Sequence, residues 1–276
     1  MSVAGTYPSI GSAPTGVVFD GTNIWVTNQG GYPDVTELSG VTGAVIGTYT
    51  SGTGAMFPTF DGFNIWIPNS GDSTVTKMSV ATGAIVGIYS TGSESWAAAF
   101  DGLNVWVTTI LADSLIEYSA STGGMMGSSA TGREPAAVTS DGTYVWSANE
   151  EDGTVTRVLA ADGSAAGTFA VGTKPESIVY DGSDIWVGNR GDDTLTELTD
   201  TGALVGTYPL NGAPVGLTFD GVNVWASQSN GTASRVFHGT VTGTYSVGTN
   251  PQGIAYGAGK IWVANAGDNT VTALAD

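Results

Sequence analysis

The chain contains no cysteine, a single histidine and only seven lysines and arginines in 276 residues. Without cysteine there is no disulfide scaffold, no zinc knuckle and no thiol nucleophile. Seven basic against 25 acidic residues leave a formal charge of −18. Nucleic acid and anionic membrane are therefore poor partners. No apolar run approaches the roughly 18 residues of a membrane span. No charged-then-apolar N-terminus marks a signal peptide. The compartment is left open, an extracellular place being compatible with a domain excised from a longer protein. Charged residues are scarce at 12%, while hydrophobic ones reach 41%. Disorder needs the opposite balance. Glycine supplies 42 residues, about twice the usual share, with no three-residue period, so collagen is excluded.

What is present is a repeat. Phe19-Asp-Gly-Thr-Asn-Ile-Trp-Val-Thr-Asn28 returns as Phe60-Asp-Gly-Phe-Asn-Ile-Trp-Ile-Pro-Asn69 and as Phe100-Asp-Gly-Leu-Asn-Val-Trp-Val-Thr-Thr109. It recurs at Asp141, Asp181 and Asp220, and in degraded form over 256–265. Trp25, Trp66, Trp106, Trp146, Trp186, Trp225 and Trp262 mark seven units, spaced 41, 40, 40, 40, 39 and 37 residues apart. Each unit reads as four short strands. Strand A (16–19 in the first unit) ends in an Asp-Gly turn, a strong hairpin signal. Strand B (23–27) carries the tryptophan. Strand C (75–78 in the second unit) alternates as a half-buried strand should. A Thr-Gly turn leads to strand D (84–89). Seven such units predict an all-β, seven-bladed β-propeller in one domain over 1–276.

The N-terminal Val3-Ala-Gly-Thr-Tyr7 matches strand D elsewhere, as in Val45-Ile-Gly-Thr-Tyr49 and Leu204-Val-Gly-Thr-Tyr208. The last unit stops after a strand C. Residues 2–8 are thus expected to pair beside 270–275, closing the last blade and accounting for the whole chain. Pro14-Thr-Gly16, Pro251-Gln-Gly253, the Asp-Gly turn, Ile-Trp-Val-x-Asn and Gly-Asp-x-Thr-Val-Thr resemble the bacterial propeller repeats of the YVTN and streptogramin-lyase (virginiamycin B lyase) types. The resemblance spans the chain and implies a seven-bladed ring. For the lyases it further implies histidine, acidic residues and a divalent metal in the axial cleft. Here the one histidine, His238, follows strand C of blade six, toward the rim, and does not match that pattern.

The seven repeated tryptophans are expected to pack between blades. The repeated Asp and strand-end Asn residues should bond their own backbone. Gly257-Ala-Gly-Lys260 lacks the spacing and the helix of a phosphate loop. Arg190-Gly-Asp192 follows the Gly-Asp template of its turn, with only the arginine new. Glu150-Glu-Asp152 and Asp192-Asp193 lack the spaced ligands of a calcium loop.

Positions that break the repeat are the better functional candidates. The D–A and B–C loops share one face. Entering strand A the copies read Thr15, Met56, Trp96, Ala136, Glu176, Val215 and Gln252. After the strand-end Asn they read Gln29, Ser70, Ile110, Glu150, Arg190, Ser229 and Ala266. Met56, Phe57, Trp96, Ile110 and Leu111, with Tyr32 beside them, form an apolar sector. Arg133, Glu134, Glu150, Glu151, Lys174, Glu176 and Arg190 form a charged one. The plain reading is loop drift and local packing. The functional reading is a ligand site at the channel mouth built by Met56, Phe57, Trp96, Ile110, Glu150, Glu176 and Arg190. It would take a small molecule, a glycan or a protein, without catalysis or cofactor, in a monomer. The alternative is a lyase or lactonase using calcium or magnesium. The candidate acids Glu150, Glu151 and Glu176 have Arg190 and Lys174 nearby, and charge pairing is expected to compete with metal and keep the carboxylates ionised.

Overall fold

The structure, a computed structural model, describes residues 1–9 and 11–275. Among these there is no helix, and hence none long and apolar enough to cross a membrane. The strands form seven four-stranded antiparallel sheets. In blade one Pro14–Phe19, Asn23–Asn28, Val35–Ser39 and Val45–Tyr49 follow one another from the axis outward as strands A to D. The last blade is composite. Pro251–Gly257, Lys260–Asn265 and Thr270–Ala275 are completed on the outside by Ser2–Pro8. The register runs from Ser2 opposite Ala275 to Pro8 opposite Thr270, with an irregularity between Val3 and Gly5. The expected closure is therefore the observed one, and it gives the strand at 270–275 a partner that its edge would otherwise lack.

The seven repeated tryptophans are buried at 0–3% exposure, each within an apolar cluster that spans two blades. A buried indole needs an acceptor for its N–H. In six blades the Asp five residues earlier supplies it, with Trp25, Trp66 and Trp106 donating to Asp20, Asp61 and Asp101 at 2.7 Å, and likewise in blades four to six. The other oxygen of the same Asp accepts two backbone N–H groups of the turn, as Asp20 does from Thr22 and Asn23. One carboxylate thus caps the hairpin and anchors the indole. In blade seven, Gly257 stands where the Asp would be, and its carbonyl takes the Trp262 N–H at 3.0 Å. The strand-end Asn residues behave differently from expectation. Buried Asn69, Asn149, Asn189 and Asn265 donate mainly to threonine hydroxyls of strand C, such as Thr74 and Thr76, rather than to their own backbone.

Outside the tryptophan sits an aromatic of strand D, as in Trp25–Tyr49, Trp66–Tyr89 and Trp186–Tyr208, with centroids 5.3–5.6 Å apart. The ring of Tyr49 also presses on the Thr-Gly turn of the next blade. A Cβ on Gly83 would lie 1.9 Å from it, and φ there is +68°. Only glycine meets both conditions. Opposite the tryptophan, the strand C position alternates in sign around the ring, Glu37, Lys77, Glu117, Arg157, Glu197, Arg235, before ending at Ala273. The cations lie over their indoles, Lys77 on Trp66 at 5.3 Å and Arg157 on Trp146 at 5.1 Å. In blade seven Lys260 replaces them, 5.3 Å from Trp262. Lys77, Arg157 and Lys260 also donate to carbonyls in the C–D turn of the following blade, at Ala120, Asp200 and Val41. Neighbouring blades are thereby stitched along the rim.

Blade two departs from the pattern. Its strand A is reduced to Thr59–Phe60. Pro58 has no N–H to give to its own strand B. The preceding residue turns to blade three instead, Phe57 donating to Trp96 O at 3.1 Å and accepting from Ala98 N at 3.0 Å in a parallel bridge. On the other side, Thr27 donates its hydroxyl to Met56 O at 2.6 Å.

Candidate ligand site at the channel mouth

The two loop sets of one face are joined by the same bond in every blade. The N–H after the end of strand B donates to the carbonyl 16 residues earlier: Gln29 to Ala13, Ser70 to Gly54, Ile110 to Glu94, Glu150 to Glu134, Arg190 to Lys174, Ser229 to Ala213 and Ala266 to Asn250. Four of the turn aspartates reinforce the link, Asp72, Asp152, Asp192 and Asp268 accepting from the N–H of Thr53, Arg133, Thr173 and Thr249. The aspartate of Arg190-Gly-Asp192 is therefore spent on the scaffold. Asp152 likewise holds the Arg133 side chain at 2.7 Å. These bonds set the variable residues side by side around the axis.

At the axis lies a cavity of about 180 Å³ whose wall is the inner strands of all seven blades. One register of the inner strands reads Gly16, Phe57, Ala97, Ala137, Ser177, Gly216 and Gly253, and all but Gly16 line the cavity. Six small residues leave the lumen open and Phe57 alone projects an aromatic side chain into the lining. Small residues are required where blades crowd the axis, since a Cβ on Gly16 would fall 2.7 Å from Met56 O. Among the lining residues Glu176 is the single charged one. Its side chain is 14% exposed, and burial pushes its carboxyl up to about 7 against the opposing pull of Arg190, with Glu150 adding to the rise. Arg190 Nη1 stands 3.0 Å from Glu176 Oε2. The approach is off line for a hydrogen bond, so the buried Oε2 has no aligned donor. Lys174 reaches Glu150 at 3.8 Å, and its side chain is largely exposed.

The seven expected site residues separate into four groups. Glu176 and Phe57 line the cavity, and Arg190 stands behind Glu176 as its ion-pair partner. Glu150 stands one step outward, tied to Lys174. Trp96 is half-buried and does not line the cavity; it backs Phe57, centroid to centroid 6.4 Å, and so differs from the seven buried tryptophans. Met56 and Ile110 do not serve as expected. Met56 is 1% exposed and absent from the cavity wall, and its backbone is held by Pro68 and Thr27. Ile110 is half-buried in its turn and absent from the cavity wall. Tyr32 is 81% exposed and lines a separate open groove with Gln29, Asp34 and Ile85. The expectation that pairing keeps these carboxylates ionised is corrected for Glu176. Desolvation in the channel outweighs an arginine that is half exposed to water. Sequence reasoning could not weigh burial at that position. The ring of small residues that isolates Phe57 was readable in the forty-residue register and was missed.

The metal implied by the lyase resemblance finds no matching donor set. Among the described residues no three His, Asp or Glu side chains converge. Glu150 and Glu176 each face a cation. His238 sits in the C–D turn, exposed, against Phe237. No step is derived through a metal.

No protein-family model matches the chain, and no curated protein matches it in sequence. Solved structures do. The virginiamycin B lyase of Staphylococcus aureus superposes with a TM-score of 0.84 at 16% identity, covering 99% of this chain and 98% of that one. The chain shares the fold of the streptogramin B lyases. Kuenenia stuttgartiensis hydrazine synthase gives 0.85 at 15% identity over 98% and 97% of the two chains. U3-55K gives 0.86 at 10% over 100% and 99%. The propeller scaffold is common to all, and at these identities it says nothing of what the chain binds or converts.

Proposed function

We propose that this propeller is a binding module that takes a small, largely apolar molecule into the mouth of its axial channel. The observation that carries the reading is the cavity itself: about 180 Å³, its wall about as polar as it is apolar in open surface, built mainly from small and aliphatic residues with one hydroxyl, Ser177, one aromatic, Phe57, and one charged group, Glu176. Aliphatic and aromatic side chains with few polar groups that fix orientation are the usual make-up of a small-molecule site. The volume favours a small molecule over a glycan or a protein. Nuclear magnetic resonance titration with a panel of benzyl- and cyclohexyl-sized fragments tests it. Binding should shift the Phe57 and Trp96 resonances and be lost in Ala136→Leu, which fills the lumen. Fragments that bind equally well to Ala136→Leu would place the site elsewhere.

A second reading has its own support. A carboxyl near 7 suits general acid–base chemistry at neutral pH. Metal-free turnover of a lactone or ester that Glu176→Gln abolishes would make the site catalytic. Binding without turnover leaves it a receptor.

A further inference from the structure

The lining of the channel also speaks to the charge of its ligand. Glu176 Oε2 is buried and has one salt-bridge partner, Arg190 Nη1, which pairs with it as an ion rather than as a well-aligned hydrogen-bond donor. This nearest cation comes within 3.0 Å, yet its side chain is 49% exposed. A guanidinium is a rigid planar fork, whereas an ammonium is compact and can aim any of three donors. An anionic ligand would meet Glu176 and Glu150 as like charges. A neutral one would leave the buried carboxylate with the half-exposed Arg190 as its charge partner. The protein's charge of −18 draws cations toward its clefts. An apolar cavity of about 150 Å³ accepts one benzene, so this one has room for a benzyl-sized body.

We propose that the channel ligand is a small organic primary ammonium ion, its charge held by Glu176 and its hydrocarbon body by Phe57 and the small inner-strand side chains. The assignment rests on the binding reading above. Arg190 then acts as an internal stand-in that swings outward when the ligand arrives. The charged groups around Glu176 are Arg190 from the B–C turn of blade five, Lys174 from the D–A loop before it, and Glu150 from the B–C turn of blade four. The ligand binds the ionised carboxylate, so affinity rises with pH as Glu176 loses its proton.

Calorimetric titration of the full chain with benzylammonium, benzyl alcohol and benzoate, at about pH 5.5 and about pH 8.5, is the test. Benzylammonium should bind tightest of the three, more tightly at the higher pH and at low salt. Glu176→Gln should weaken it about tenfold or more while sparing benzyl alcohol, which reports that the cavity is intact. Arg190→Ala should strengthen it, because the competing cation is gone. Benzyl alcohol or benzoate binding as tightly as benzylammonium, or benzylammonium affinity that is flat or falling with pH in the unaltered chain, overturns the ammonium assignment and leaves the binding reading standing. No binding by any of the three overturns both.

Discussion

At the A–B turn, six blades put a carboxylate under the indole and the seventh substitutes a backbone carbonyl. At the other end of the same strands the equivalent residues are Thr15, Met56, Trp96, Ala136, Glu176, Val215 and Gln252. Both ends hold their backbone by repeated bonds, but at the second end the side chains entering strand A do not repeat. The difference follows from what each side chain touches. A tryptophan wedged between blades faces the same neighbours seven times, so one solution serves all. At the axis the seven copies face one another, and a lumen lined sevenfold by a single large residue would close. Variation there is what keeps a cavity open and gives it one aromatic wall and one charged one.

Opening the ring should have the largest effect on this contrast. Removing residues 2–8 strips the outer strand from blade seven and exposes an edge along Thr270–Ala275. Thermal unfolding should show loss of the single cooperative transition; an unchanged Tm would mean that the closing strand is dispensable. Next, Trp66→Ala should cost about 3–5 kcal/mol, whereas Trp96→Ala, half-buried and backing Phe57, should cost about 1 kcal/mol. Denaturant titration of the two variants compares the regular and the irregular end directly. Equal losses would dissolve the distinction.

The third effect is on pH. Glu176 holds its proton up to about 7 in the folded chain and to about 4.5 when unfolded. Between those values the native state binds more protons. Stability therefore falls as pH rises through that window and levels off above it, by up to about 3 kcal/mol. Glu176→Gln should flatten this slope, measured as Tm against pH; an unaltered slope would show that the carboxyl is not buried in solution. A fourth, of about 1–3 kcal/mol, concerns repair of the degraded repeat. Gly257→Asp restores the six-blade pattern in sequence, yet a Cβ there would lie 2.5 Å from the Phe19 ring. The substitution should lower stability in chemical denaturation, and a gain would show that Phe19 yields. Smallest of all, Arg133→Ala removes an exposed pair with Asp152 and should leave Tm unmoved.

The forty-residue spacing of the tryptophans carried the blade count, the strand order and the closing strand, because each depends on local pattern and on a short match between the N-terminus and strand D. The same spacing held two further facts that only alignment of the copies reveals. One is the alternation from Glu37 to Arg235 beside the indoles. The other is Phe57 standing in a ring of small residues. What no pattern contained was how deeply a side chain sits. Met56 and Glu176 occupy the same repeat position, yet one is buried away from the cavity wall and the other lines the channel with a displaced titration. Nor could the spacing show that Pro58 would send the Phe57 backbone across to blade three.

Pairing Ser2 with Ala275 makes the first strand wait for the last. At ribosomal rates of roughly 5–20 residues per second, the N-terminal segment emerges tens of seconds before its partner exists. Throughout that interval Val3-Ala-Gly-Thr-Tyr7 is an unclaimed strand, and the growing stack of blades stands open beside it. A chaperone or a second nascent chain offering a free strand edge would meet the molecule in this interval, before the ring has shut.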